Sequence, residues 1–244
     1  MNAMLADLVR AGIDVFFPRV CVHCGGVGEG GRLRHLCPRC ESGLSIVCEP
    51  YCTVCGHPFS GAMEAGRECP HCVELAPEFG QGRTCILLKN AGRSLVHALK
   101  YRHALHVLED IAELWATVPG VADYVREAVL VPVPLHPRKE RERGYNQSRL
   151  LAEIGCRASG GTARVEPILR RVVDTKSQTH YNRQARQLNL KNAFALAPRA
   201  DIKPAQRYVL IDDVFTTGST LNACAAVLRR AGCLNVDVLT FGHG

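Results

Sequence analysis

Long apolar runs are missing from this 244-residue chain: no stretch approaches the roughly 20 consecutive apolar residues that a membrane span requires. The opening segment, MNAMLADLVRAGIDVFFP, lacks a basic leader region and a small-residue cleavage site, and carries an early Asp7. It does not read as a secretory signal, so the expected compartment is the cytoplasm. Its Leu5, Leu8, Val9, Ile13 and Phe16 follow helical spacing and predict a short amphipathic helix instead. Aromatic residues are also scarce, at 6%, and few alternate with basic ones. Composition therefore offers little of the stacking surface that single-strand nucleic-acid binders use, with Tyr101, Tyr145 and Tyr181 the best placed. No low-complexity linker divides the chain.

Cysteine is abundant. Nine of the thirteen cysteines lie between positions 21 and 72, and eight of these form CxxC pairs: Cys21/Cys24, Cys37/Cys40, Cys52/Cys55 and Cys69/Cys72. Two intervening residues let both thiolates of a tight turn face one tetrahedral ion, and two such knuckles close a four-thiolate site. Gly25 and Gly56 follow the second cysteine of a pair, where knuckle N–H groups bond to sulfur. The pattern reads as two tandem zinc ribbons holding one or two structural Zn2+ ions. A disulfide framework conflicts with the absence of a secretory signal. An iron–sulfur cluster and an interleaved pairing of the knuckles stay open at this level. Cys48 is left over, and His23, His35, His57 and His71 are spare. A module of this size has little core, so metal supplies most of its folding energy. Cys85, Cys156, Cys224 and Cys233 sit in apolar settings and read as buried thiols.

The formal net charge of +7 is unevenly placed. Residues 89–191 carry 18 basic and 10 acidic side chains, whereas residues 1–88 carry 7 and 9. The excess in the middle third points to a polyanionic partner.

After position 80, apolar runs alternate with amphipathic ones. TCILLK (84–89), AVLVPVPL (128–135), VEPILRRV (165–172), RYVLIDDV (207–214) and NVDVLTFGHG (235–244) read as strands. Positions 92–102, 104–118, the segment SRLLAEIGCRA and positions 221–232 read as helices, and PRKERERGYNQ as a basic loop. Continuous apolar strands alternating with helices imply an α/β fold, a mostly parallel sheet flanked by helices and preceded by the small zinc-ribbon module. The expected division is residues 1–80 for the helix and ribbons, and 81–244 for the sheet.

The most informative stretch is YVLIDDVFTTGST, residues 208–220. An apolar strand ends in Asp212 and Asp213, and Thr216, Thr217, Gly218, Ser219 and Thr220 lead into a helix. Ligands of open α/β sheets sit beyond the carboxyl ends of the strands. Backbone N–H groups at a helix N-terminus, with hydroxyls beside them, favour phosphate. Gly218 allows close backbone approach. Carboxylates suit the vicinal hydroxyls of a sugar, or Mg2+ held with them. Together these groups describe a site for ribose 5-phosphate.

This stretch resembles the phosphoribosyl pyrophosphate (PRPP) signature of type I phosphoribosyltransferases. With the four CxxC pairs, LKYR (99–102), VPVPLHPRKERERGYNQSRLLAE (131–153) and TKSQTHYNRQARQLNLKNAF (175–194), the whole chain is similar to the competence protein F (ComF/GntX-like) family. The resemblance implies a type I phosphoribosyltransferase-like domain behind a zinc ribbon, linked to DNA uptake in natural transformation. It implies that Asp212 and Asp213 hold the ribose, one through Mg2+, and that Thr216 to Thr220 cradle the 5-phosphate. Pro134, Leu135 and Arg138 fall where the pyrophosphate loop of such folds lies. Lys176, Gln178 and Arg183 fall in a loop that closes over the site. Two functions follow: a Mg2+-dependent phosphoribosyl transferase of unnamed acceptor, or a non-catalytic module. The second would bind PRPP or a nucleotide-like ligand, single-stranded DNA and a competence helicase or other uptake proteins.

Overall fold

The computed structural model describes residues 19–27, 30–59, 69, 70, 72, 75–174, 190 and 192–244. The amphipathic helix expected near the start lies outside them. Five runs build one sheet: β1 (Gly82–Leu87), β2 (Val129–Pro132), β3 (Arg164–Val165), β6 (Arg207–Phe215) and β7 (Asn235–His243). Between β3 and β6 in the chain, β4 (Leu169–Arg171) and β5 (Phe194–Leu196) pair antiparallel as a separate ribbon. The large sheet runs β1-β7-β6-β2-β3, with every neighbouring pair parallel. This is the mostly parallel sheet expected from the continuous apolar strands. Among the described residues, no helix is long and apolar enough to cross a membrane.

Side chains alternate across each strand, which separates two cores. One face presents Leu130, Val209, Ile211, Leu239 and Phe241. It is covered by α2 (Asn90–Tyr101), α3 (Leu108–Thr117), α4 (Val121–Val125) and α6 (Gln147–Ala158). The helix α2 forms because Ala91, Leu95, Val96, Ala98 and Leu99 recur at helical spacing and are all buried. The other face presents Val129, Val131, Tyr208, Leu210, Val236 and Val238 to α7 (Ser219–Arg230) and to Leu169 and Phe194 of the small ribbon.

The cysteine-rich segment shares both cores. Cys21, Leu33 and Leu36 belong to the first, beside the short helix α1 (Pro38–Ser42); Cys52, Cys55, Cys69, Leu75 and Phe79 belong to the second. Between the two parts the chain crosses the outer edge of β1. Val47 N–H donates to Cys85 O at 2.9 Å, and Leu87 N–H donates to Ser45 O at 2.8 Å.

Three local expectations change. PRKERERGYNQ is not simply a loop: Pro137–Arg143 forms helix α5. Pro137 occupies the first turn, His136 accepts from Arg138 N–H, and Gly144 ends the helix at φ +79°. VEPILRRV does not form one strand, because Pro167 has no N–H to give to a ladder; β3 and β4 lie on either side of it, in different sheets. The helix expected over 104–118 starts with a 3-10 turn, Leu105–Val107, and becomes α-helical only at Leu108.

Candidate functional site

The strand β6 lies inside the sheet, between β7 and β2, and ends at the acid pair. Asp213 is buried, with its side chain 5% exposed, and its Oδ2 lies 2.9 Å from Lys100 Nζ in the last turn of α2. Burial works against the ammonium charge, but the carboxylates of Asp213 and Asp212 outweigh it and raise the Lys100 pKa. Asp212 is partly exposed. Its Oδ1 accepts from Ser148 Oγ at 2.8 Å and from the Asp213 N–H at 2.9 Å. Desolvation, with the neighbouring Asp213 charge, pushes the Asp212 carboxyl up to about 7, against the pull of Lys100 and the Ser148 bond.

The segment after the pair turns into α7. Thr216 is exposed, Thr217 and Thr220 are half-buried, and Gly218 and Ser219 are buried. The Thr217 and Ser219 hydroxyls lie 2.9 Å apart. Gly218 stands at φ +71°, which L side chains rarely adopt, and a Cβ there would meet Phe215 Cζ at 2.6 Å and Leu75 Cδ2 at 2.9 Å. The glycine is thus required for the turn and for seating it on Leu75 and Phe215, a reason additional to the backbone approach expected from sequence. Asn222, in the first turn of α7, accepts from Glu78 N–H at 2.6 Å and donates to the carbonyls of Leu75 and Ala76, each at 3.3 Å. The segment that follows the second cysteine group therefore clasps the head of this helix.

Pro134 and Leu135 follow β2 at the same end of the sheet. Arg138 is not aimed at the acid pair: it lies in α5, with Nε 3.0 Å from Glu142 and Nη1 4.0 Å from Asp174. His136 Nδ1 is 3.7 Å from the same Asp174, so α5 is tied to the residue that precedes position 175. Lys176, Gln178 and Arg183 lie outside the described residues, as do His71, His180 and Tyr181.

Lys100 and Ser148 lie in the motifs LKYR (99–102) and 131–153, but the sequence assigns neither a role. The signal for Lys100 was weak, a lysine in the last turn of an amphipathic helix. Ser148 was closer to view. Gly144-Tyr145-Asn146-Gln147 reads as a turn and helix cap, or as a site edge, and the structure shows the turn and cap, with Gly144 ending α5 and Asn146 capping α6. Asn146 accepts from Ser148 N–H at 2.9 Å and donates to Val133 O at 3.0 Å, which fixes the head of α6 to the end of β2 and turns Ser148 towards Asp212.

The cysteines gather in sequence order, Cys21, Cys24, Cys37 and Cys40 in one group and Cys52, Cys55, Cys69 and Cys72 in the other, with all sulfurs of a group within 4.8 Å of one another. The Cys24–Cys37, Cys52–Cys72 and Cys55–Cys69 sulfurs are 3.8, 3.9 and 3.7 Å apart. Disulfide sulfurs lie about 2.05 Å apart, so these are not bridges. A tetrahedral site with Zn–S near 2.3 Å has edges of about 3.8 Å. The four-thiolate sets fit structural zinc. His57 N–H donates to Cys55 Sγ at 3.4 Å, the knuckle bond expected beside Gly56. The His57 ring is not a ligand: it meets His243 at 4.8 Å, and His243 stacks on Phe215 at 5.1 Å, just before the hydroxyl loop.

Residues 12–73 match a family described as a double zinc ribbon domain. Competence protein F of Haemophilus influenzae is 30% identical over 91% of this chain and 96% of its own length. DNA utilization protein YhgH of Salmonella typhimurium is 31% identical over 77% of this chain and 81% of its own. Competence protein ComFC of Bacillus subtilis is 25% identical over 81% and 79%. Among solved structures, a hypoxanthine phosphoribosyltransferase from Staphylococcus aureus overlaps 55% of this chain and 62% of its own, at 12% identity and a TM-score of 0.35.

Proposed function

The chain belongs to the competence protein F family, and from that premise we propose that it binds PRPP with Mg2+ at the carboxyl end of β6 and acts in DNA uptake. The observation that carries this reading is the run from Asp212 to Thr220, with sugar acceptors and phosphate donors on consecutive turns at the end of an inner strand. Asp212 and Asp213 hold the ribose hydroxyls, one through Mg2+. Thr216, Thr217, Ser219 and Thr220, with the first N–H groups of α7, receive the 5-phosphate. Gly218 gives the turn its shape. Pro134, Leu135 and Arg138 serve the pyrophosphate side, and the family resemblance assigns Lys176, Gln178 and Arg183, outside the described residues, to the same ligand. Carboxylate oxygens are the hard donors that Mg2+ prefers, and the ion, when bound, offsets charge on the pyrophosphate. Positioned lysines and arginines stabilise the same developing charge. In this reading residues 1–80 form a zinc-bearing support and residues 81–244 the ligand-binding unit, working in the cytoplasm.

The names of the relatives support the biological setting, competence and DNA utilization. The direct test is calorimetric titration of the protein with PRPP and Mg2+, followed by a pyrophosphate-release screen over bases and DNA. Binding with release defines a phosphoribosyltransferase. Binding without release, across a broad acceptor set, defines a sensor. Absence of PRPP binding by the intact protein rejects the reading. A second reading, a non-catalytic module for single-stranded DNA and protein partners of the uptake machinery, is favoured by the charge balance of residues 89–191. Salt-sensitive DNA binding that survives Asp212→Asn and Asp213→Asn would support it.

A further inference from the structure

The fold places a lysine against one of the two carboxylates proposed to face the ligand. The Lys100 side chain is 22% exposed and its partner Asp213 only 5% exposed, with nitrogen and oxygen 2.9 Å apart. An exposed ion pair contributes little and is screened by salt. This one is largely withdrawn from water, where charge interactions are several times stronger. Asp212 is engaged differently. Its Oδ1 is occupied by Ser148 and by the Asp213 N–H, and its other oxygen makes no bond among the described residues. The two acids are therefore not equivalent: Asp213 is held by a fixed cation, and Asp212 has one oxygen without a partner among the described residues.

We propose that Lys100 is a positioning residue of this site, whose ammonium keeps the acid pair from capturing a divalent cation alone, so that the cation enters together with the phosphate ligand. Once both are ionised, which Asp212 reaches above pH about 7, the two adjacent carboxylates carry a charge of −2 and attract a divalent ion. Lys100 halves that charge and adds a positive group close to where the ion would sit. A ligand bringing several phosphate charges restores the attraction, and its cation then arrives already partly coordinated. The order of entry is thus set by one side chain delivered from α2. A lysine in the last turn of a helix also complements the helix dipole, so its effect on stability alone does not distinguish the two roles.

The inference rests on the PRPP reading for the identity of the ligand, but its test does not. Mn2+ binding to the full-length, zinc-loaded protein, with no other ligand, is measured by electron paramagnetic resonance for wild type, Lys100→Met and Lys100→Arg. Circular dichroism and melting confirm that each variant is folded. Lys100→Met is expected to bind Mn2+ roughly tenfold more tightly, or better, while Lys100→Arg behaves as wild type. Equal Mn2+ affinity in wild type and folded Lys100→Met overturns the proposal. If Lys100→Met does not fold, Lys100→Gln replaces it, and wild type itself gives a further check: its Mn2+ affinity should tighten at least tenfold when PRPP is added. Failure of PRPP to bind at all defeats the ligand assignment, and the comparison without PRPP still decides the role of Lys100.

Discussion

The two cysteine groups have the same ligands and nearly the same spacing, yet they are built into the molecule differently. In the first, Cys21 is buried, Cys37 and Cys40 are half-buried and Cys24 is exposed; in the second only Cys72 is not fully buried. The first rests on the helices of one face. Its main anchor is Asp110 of α3, 1% exposed, which accepts from Arg34 N–H at 2.7 Å and His35 N–H at 2.9 Å. The second is laid along β1 and under α7. Gly82 N–H donates to Thr53 O, Thr84 Oγ1 donates to Cys55 O, and a Cβ on Gly56 would meet Thr84 N at 2.5 Å. Leu75 and His57 then extend this contact to Gly218 and the Phe215–His243 stack. Identical metal chemistry therefore produces two dependencies: the first ribbon leans on the fold, and the second forms part of the floor beneath the hydroxyl loop.

The strongest way to break this comparison is to remove one ligand from each group. Cys55→Ser deletes a fully buried thiolate and is expected to abolish the folded protein, since structural zinc contributes on the order of 10 kcal/mol to domains of this kind. Cys24→Ser, at the exposed corner, should leave a folded sheet that melts lower and carries less zinc. Soluble yield of both variants, with melting and zinc analysis of whatever folds, decides it; equal losses would mean that the groups are not distinct. A smaller effect isolates the floor itself. Leu75→Ala removes a side chain that is 2% exposed, for an expected cost of about 2–4 kcal/mol, and loosens the seat of Gly218. PRPP affinity should fall in this variant with the zinc content unchanged, and an unaltered affinity would detach the second ribbon from the site.

The smallest effect concerns protonation. The folded Asp212 carboxyl titrates near 7, above the unfolded value of roughly 3.9. The folded state thus binds this proton more tightly, and the contribution of Asp212 to stability is full below the unfolded value and declines as pH rises towards 7. Divalent-cation binding requires the carboxylate and runs the other way. Mg2+-dependent PRPP affinity should strengthen as pH rises through about 7 and level off above it. The groups that set Asp212 are Asp213, Lys100 and Ser148, none of them in the first ribbon. Cys24→Ser should leave the midpoint of the calorimetric pH profile in place.

Much of this was legible in the chain because the signals are local. A CxxC pair is one turn, and two pairs at short separation close one site. Asp212 to Thr220 places acids, hydroxyls and a glycine on one strand–loop–helix unit. The α/β alternation was readable from apolar runs of strand length. What escaped depends on distance. Lys100 and Asp213 are far apart in the chain, and nothing near either residue names the other. Leu75 looks like an ordinary apolar residue until Gly218 is found against it. The helix at 137–143 was obscured by charge, although Pro137 and Gly144 mark its ends. The split at Pro167 was available from the missing N–H but was hidden within a strongly strand-like run.

The crossing of residues 45–47 over β1 has one more consequence. Parallel sheets carry exposed hydrogen-bonding groups at their edge strands, and an open edge invites pairing with another chain. At the far side, β3 is only two residues long. At the near side, β1 runs for six residues, and the bridge between the ribbons already occupies its rim, with Ile46 opposite Ile86. The zinc groups hold that bridge from both ends. A sample stripped of zinc is therefore expected to expose this rim and to form intermolecular β-paired aggregates, which light scattering during chelation would detect.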